Sequence, residues 1–156
     1  MIIAGVDYSL TCPAMCVFDD EDGEFSFEKC HFYFLTQSRK YDVQFKNITG
    51  RFFDHEGMTD VLRYDGISNF FIDRLLETDK DCHVFLEGYS MGSRGRVFNI
   101  AENAGILKYR LWLFAVECTE IPPTVLKKYA TGKGNANKER MQEVFEEFND
   151  IRLKDE

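Results

Sequence analysis

No apolar run in this 156-residue chain approaches the roughly 20 residues that a membrane-crossing helix needs. The N-terminus also lacks the basic lead of a signal peptide, and Asp7 interrupts its first apolar stretch, so an intracellular protein is expected. Internal repeats and low-complexity tracts are missing, and the length suits one ordinary domain with a single core. Cysteine is sparse and odd in number. Cys12, Cys16, Cys30, Cys82 and Cys118 follow no repeated spacing, which suits reduced thiols rather than a disulfide framework. Cys30-His31 and Cys82-His83 look like metal dipeptides, but neighbours on a strand face opposite ways, so one zinc ion could hardly take both.

What is present is a well-stocked core. A hydrophobic content of 44% with 15 Phe excludes disorder. The net charge of −8 discourages nucleic acid as a partner until its distribution is considered. Residues 1–87 carry 17 acidic and 8 basic side chains, residues 88–138 carry 3 and 8, and residues 139–156 carry 7 and 3. Only the middle segment is basic, and either a polyanion-facing surface or an ordinary solvated one fits it.

Ile2 to Val6 and Ala14 to Phe18 read as neighbouring strands, and the acidic run Asp19-Asp20-Glu21-Asp22-Gly23 as the turn after them. Alternation through Phe25, Phe27, Cys30, Phe32 and Phe34 predicts a third strand, giving an antiparallel meander. Residues 36–57 show no sustained period and read as a long irregular connection. Met58 to Leu76 has helical spacing, weakened at Gly66, and a strand ending at Glu87 follows. Beyond the glycine-rich loop Gly88–Gly95, Val97 to Val116 predicts a helix whose Ile106, Leu107, Leu111, Trp112 and Phe114 are read as core. Glu117 to Ile121 is a strand stopped by Pro122-Pro123. Thr124 then caps a short helix through Val125, Leu126 and Tyr129, and Asn135 or Asn137 starts a last helix. The predicted order is β-β-β-α-β-α-β-α-α.

Within that order Asp7 and Glu87 stand out, because each closes an apolar strand. A carboxylate there is costly to bury unless paired, protonated or bound to a cation, and two of them invite a metal.

The combination resembles the RuvC-type Holliday junction resolvases, in a form like those carried by some phages. Three stretches carry the likeness: Gly5-Val6-Asp7-Tyr8-Ser9; Phe85-Leu86-Glu87 with Asn103-Ala104-Gly105 behind it; and Val125-Leu126-Lys127, Thr131-Gly132-Lys133-Gly134 and Asn137-Lys138. A Gly-x-Asp start also occurs in sugar kinases of the actin-like fold, but no second phosphate loop or adenosine motif accompanies it here. The resemblance implies an α/β, ribonuclease H-like fold: a mixed sheet with an N-terminal antiparallel meander, flanked by helices. It implies a metal-dependent, structure-selective endodeoxyribonuclease that cuts four-way junctions or related branched DNA and leaves 5′-phosphate ends. A homodimer acting on two strands is expected, with part of the Ile106–Phe114 face as its two-fold interface.

By the same resemblance Asp7 and Glu87 are catalytic metal ligands for Mg²⁺ or Mn²⁺. Two ions about 3.5–4 Å apart would activate water and neutralise the phosphate. Lys138 is expected to act on the scissile phosphate. Tyr89, Ser90, Met91, Arg94 and Arg96 form the loop entering the branch point, with Tyr89 and Met91 as wedges and the arginines on phosphates. Lys127, Lys128 and Lys133 track the backbone without reading sequence. The family takes two more carboxylates from a C-terminal helix, farther from Lys138 than the 18 residues that remain. Asp150 and Asp155 do not fit its Asp-x-x-Asp pattern, so the chain is expected to lack that final helix. A catalytically silent binder of branched DNA with the same fold is the alternative.

Overall fold

The computed structural model describes residues 1–89 and 97–152. One mixed sheet organises them, with strands β1 (Ile2–Asp7), β2 (Ala14–Asp19), β3 (His31–Thr36), β4 (Gln44–Phe45), β5 (Ile48–Phe52), β6 (Cys82–Glu87) and β7 (Glu117–Ile121). They lie in the order β4-β5-β3-β2-β1-β6-β7. Helices α1 (Asp60–Leu75), α2 (Val97–Leu113), α3 (Pro123–Thr131) and α4 (Lys138–Asn149) flank the sheet. The meander β1-β2-β3 is antiparallel as expected, whereas β6 joins β1 and β7 joins β6 in parallel.

Strand alternation separates the two faces. Ala4, Val6, Met15, Leu35, Val84 and Leu86 point to one side and bury against Ile67, Phe71 and Leu75 of α1 and Leu107 and Leu111 of α2. The stripe Tyr64, Ile67, Ser68, Phe71, Ile72 and Leu75 recurs at three- and four-residue steps, which is why α1 is helical and which face it buries. Thr59 caps its start by accepting from the Leu62 N–H, and Asp65 pairs with Arg110 to tie α1 to α2. On the other side of the sheet, Phe32 stacks on Phe27, which meets Phe145 of α4.

Four expectations change. Residues 36–57 contain β4 and β5, and β5 runs parallel to β3. Gly50 and Arg51 break the apolar alternation of β5, which hid the strand. The third strand starts only at His31, because the Asn47 amide binds the carbonyls of Phe27 and Cys30 at 2.7 and 2.8 Å and holds Phe27–Lys29 as a tight 3-10 turn. Helix α3 begins at Pro123, so Thr124 lies inside its first turn and caps nothing. Finally, α2 buries Leu107 and Leu111, while Trp112 is 72% exposed and Phe114 is also on the surface, so those two are not core.

Gly66 and Gly50 are explained by close approaches. A Cβ on Gly66 would stand 2.8 Å from the Phe53 ring, so the helix gives up propensity there to let Phe53 pack. A Cβ on Gly50 would overlap the Tyr41 carbonyl oxygen and the Phe34 ring. Gly50→Ala is expected to destabilise the chain by about 1–3 kcal/mol, since backbone cannot yield as a side-chain tip can. Urea unfolding with a midpoint equal to that of the unsubstituted chain would show that β5 does not have this register.

Candidate active site

Parallel pairing sets Val6 opposite Leu86, so the next residues, Asp7 and Glu87, emerge side by side at the carboxyl ends of β1 and β6. The first is also in register with Ala14 of β2 and the second with Ile121 of β7. The two carboxylates stand between two hollows. One, of about 390 Å³, is lined by Asp7, Tyr8, Glu87, Tyr89, Ile100 and Pro123 among others. The other, of about 220 Å³, is floored by Gly5, Phe85, Ile121 and Leu126. A Cβ built on Gly5 would meet no atom, so the space beneath the carboxylates is open.

Both acids resist ionisation. Loss of water raises the proton affinity of Asp7 above the usual carboxylate range, opposed by the Lys138 ammonium. Glu87 is raised first by burial and then by the neighbouring negative charge of Asp7, and is opposed by Lys127. Among the described residues no donor hydrogen-bonds either carboxylate. A crowded pair of hard oxygen donors with this mutual repulsion and without bound donors is chemically suited to a divalent cation. The described residues gather no group of three or more His, Cys, Asp or Glu side chains around one point.

The fold also brings two of the expected lysines to the pair. Lys138 is the first residue of α4, after Asn137, whose side chain accepts from the Arg140 N–H at 3.0 Å. A cation at a helix N-terminus is disfavoured by the helix dipole, so the acidic cleft rather than the helix accounts for this placement. Lys127 lies half-buried on α3, whose Leu126 floors the smaller hollow. Gly134 lets the connecting loop close on α3, because a Cβ there would stand 3.0 Å from the Thr124 carbonyl oxygen.

Lys128 and Lys133 are not drawn to the carboxylates; both are exposed, on α3 and the loop after it. Tyr89 lines the larger hollow. Ser90, Met91, Arg94 and Arg96, and Asp155 in the C-terminal stretch, lie outside the described residues. Asp150 ends α4 in the left-handed conformation at φ 50° and donates its N–H to the Glu146 carbonyl, a helix-ending role.

Two neighbours of the site, and one exposed residue of α3, escaped the sequence reading. Tyr8 directly follows Asp7 and is buried, its hydroxyl forced well above the ordinary range by loss of water. Asn103 is fully buried on α2, one residue before Ala104 in the cleft wall, and its amide has no hydrogen-bond partner among the described residues. Tyr129, read from the sequence only as part of the short helix, is 93% exposed next to Lys128. A basic helix carrying an outward aromatic was the available signal for that last residue.

No protein-family model and no curated protein matches the sequence. The fold, in contrast, has counterparts among solved structures. RuvC from Thermus thermophilus superimposes with a TM-score of 0.65 at 13% identity, covering 100% of this chain and 84% of that one. The same T. thermophilus protein in complex with Holliday junction substrate gives a TM-score of 0.63 at 13% identity, over 98% of this chain and 82% of that one. At such identity the likeness establishes the architecture: this chain has the ribonuclease H-like α/β fold of the RuvC Holliday junction resolvase.

Proposed function

We propose that this protein is a structure-selective endonuclease that cuts four-way junctions or related branched DNA by metal-dependent phosphodiester hydrolysis. The observation that carries the reading is the pair Asp7 and Glu87, side by side on β1 and β6 with two lysines facing them, in a fold shared with a junction resolvase. Asp7 and Glu87 would hold Mg²⁺ or Mn²⁺. Bound there, divalent metal supplies an activated water and neutralises developing charge on the phosphate.

The chain's own groups do the positioning. Lys138 brings a positive charge to the mouth of the acidic pair, where a phosphodiester would otherwise be repelled. Lys127 does the same from the side of Glu87. Lys128 and Lys133, exposed beyond the cleft, are suited to backbone phosphates, and Tyr89 offers an aromatic wall to an unstacked base. A second reading, junction binding without cleavage, draws on the ligand count: only two carboxylates gather among the described residues.

An apolar belt supports the homodimer. Val61 and Leu62 on α1 and Phe98, Tyr109 and Trp112 on α2 are all exposed, and Trp112 stacks on Tyr109 with centroids 6.0 Å apart. A monomer seldom leaves so many large apolar groups in water.

Asp7→Asn is expected to abolish cleavage while leaving junction binding intact; undiminished cutting would overturn the assignment. The same variant should melt above the unsubstituted chain at pH 7. Because folding raises the proton affinity of Asp7, its contribution favours the fold at low pH and is lost as pH rises, so the gap should close in acid. Magnesium should raise the melting temperature of the unsubstituted chain and not of the variant. Lys133→Ala should weaken junction binding and lower its salt slope by about one phosphate contact, read by fluorescence anisotropy across a salt series. An unchanged slope removes Lys133 from the DNA surface. Trp112→Glu should shift the protein from dimer to monomer in sedimentation velocity, and an unaltered dimer would move the interface elsewhere.

A further inference from the structure

Tyr129 is the most exposed large apolar side chain among the described residues, at 93%. Nothing in the fold accounts for it. Its ring meets no other ring and no cation among those residues, and its hydroxyl makes no hydrogen bond there. Helix propensity does not favour it either, since alanine, lysine or glutamine would serve better at a solvent-facing position.

The placement of Tyr129 shows what it can meet. Strand alternation turns Ala4, Val6, Val84 and Leu86 toward α1 and α2, and so turns Asp7 and Glu87 to the opposite face, where Leu126 of α3 adjoins the smaller hollow. Helix α3 therefore lies on the side of the carboxylates. The exposed belt of α1 and α2 is across the sheet and does not cover it. Tyr129 is three residues beyond Leu126, its neighbour on the helix surface, and about 4.5 Å farther along the axis. That step is little more than the roughly 3.4 Å between nucleotides of one strand.

The surrounding charge is all of one sign. Residues 121–138 hold Lys127, Lys128, Lys133 and Lys138 and no acidic side chain. Lys128 and Lys133 are exposed and form no ion pair among the described residues, so their charge is free to meet a ligand. Lys133 is also held near the helix end: the Thr131 hydroxyl donates to the Lys127 carbonyl at 2.7 Å and accepts from the Lys133 N–H at 3.2 Å. A lysine in the last turn suits the helix dipole, which is reason enough for Lys128. It gives no reason for an aromatic beside it. Unpaired cations around an outward ring are the combination that holds single-stranded nucleic acid, with lysines on the backbone and the ring against a base of any identity.

We propose that Tyr129, with Lys128 and Lys133, binds an unpaired nucleotide about one or two positions from the phosphate at the carboxylates, its ring stacked on the base. The inference rests on the proposed DNA-cutting function and deepens it: among branched DNAs, the site favours those with single-stranded nucleotides beside the cut.

The test compares Tyr129→Ser and Tyr129→Phe with the unsubstituted chain, with thermal melting as the check on folding. The probes are a fork with two single-stranded arms and a blunt linear duplex, each followed by fluorescence anisotropy across a salt series. Tyr129→Ser should bind the fork about tenfold more weakly and lose nothing on the duplex. Its salt slope should stay the same, because an uncharged ring displaces no counterion. Tyr129→Phe should bind like the unsubstituted chain, since the ring and not the hydroxyl makes the contact. In the unsubstituted chain, 5-iodouracil placed along a single-stranded arm should photo-crosslink at Tyr129.

Unchanged affinity of the folded serine variant for the fork would overturn the inference. So would an equal loss on the blunt duplex, which would make Tyr129 a contact to paired DNA, or an equal loss in the phenylalanine variant, which would replace stacking by a hydroxyl bond. If the unsubstituted chain binds no branched DNA, the proposed function falls and this inference with it. If it binds and cuts while Tyr129→Ser changes nothing, only the stacking contact falls.

Discussion

The parallel pairing of β1 with β6 is the constraint on which the rest depends. It joins two segments 80 residues apart in sequence, and it does so at the centre of the sheet, where Ala4 and Val84 are fully buried. A slip of one residue would turn Val84 and Leu86 out of the core and swing Glu87 away from Asp7. The packing of α1 and α2 therefore also sets the spacing of the two carboxylates. Core and cleft are specified by the same ladder.

The cleft works against folding. Asp7 and Glu87 both lose water, and each disfavours the charge of the other, so the ionised pair destabilises the chain that positions it. Lys127 and Lys138 offset part of this. Neither forms an ion pair with the carboxylates within hydrogen-bonding reach, which leaves the oxygens accessible to a ligand. A pair designed only for stability would be closed by a salt bridge, as Asp65 and Arg110 are between α1 and α2.

Most of the architecture was legible from periodicity, because β1, β2, β6 and β7 are apolar or cleanly bounded and the helices carry regular stripes. Both ligand candidates were visible for the same reason, as acids terminating buried strands. The edge of the sheet was not legible. Strand β5 reads Ile48-Thr49-Gly50-Arg51-Phe52, where glycine serves the Tyr41 carbonyl and arginine serves the surface, and neither follows an alternation rule. Nor could spacing separate the buried from the exposed side of α2, since Leu111 and Trp112 are adjacent and equally apolar. The local excess of basic residues over 29–51 was concealed by averaging, as they were counted with the acidic stretches on either side.

A chain of net charge −8 can still present attractive surfaces to a polyanion, and the geometry of β1 explains how. The acidic turn Asp20–Asp22 follows the end of β2 that pairs with Ile2, at the opposite end of β1 from Asp7. Six residues of strand separate the two by about 17–20 Å, roughly twice the screening length at physiological salt. Lys80 further neutralises this corner by pairing with Asp19 and with Glu21 at 2.7 Å. A phosphate backbone at the cleft thus experiences Lys127 and Lys138 at short range and little of the distant acids. Net charge governs the behaviour of the whole molecule in solution; the local field at the strand ends governs what the cleft accepts.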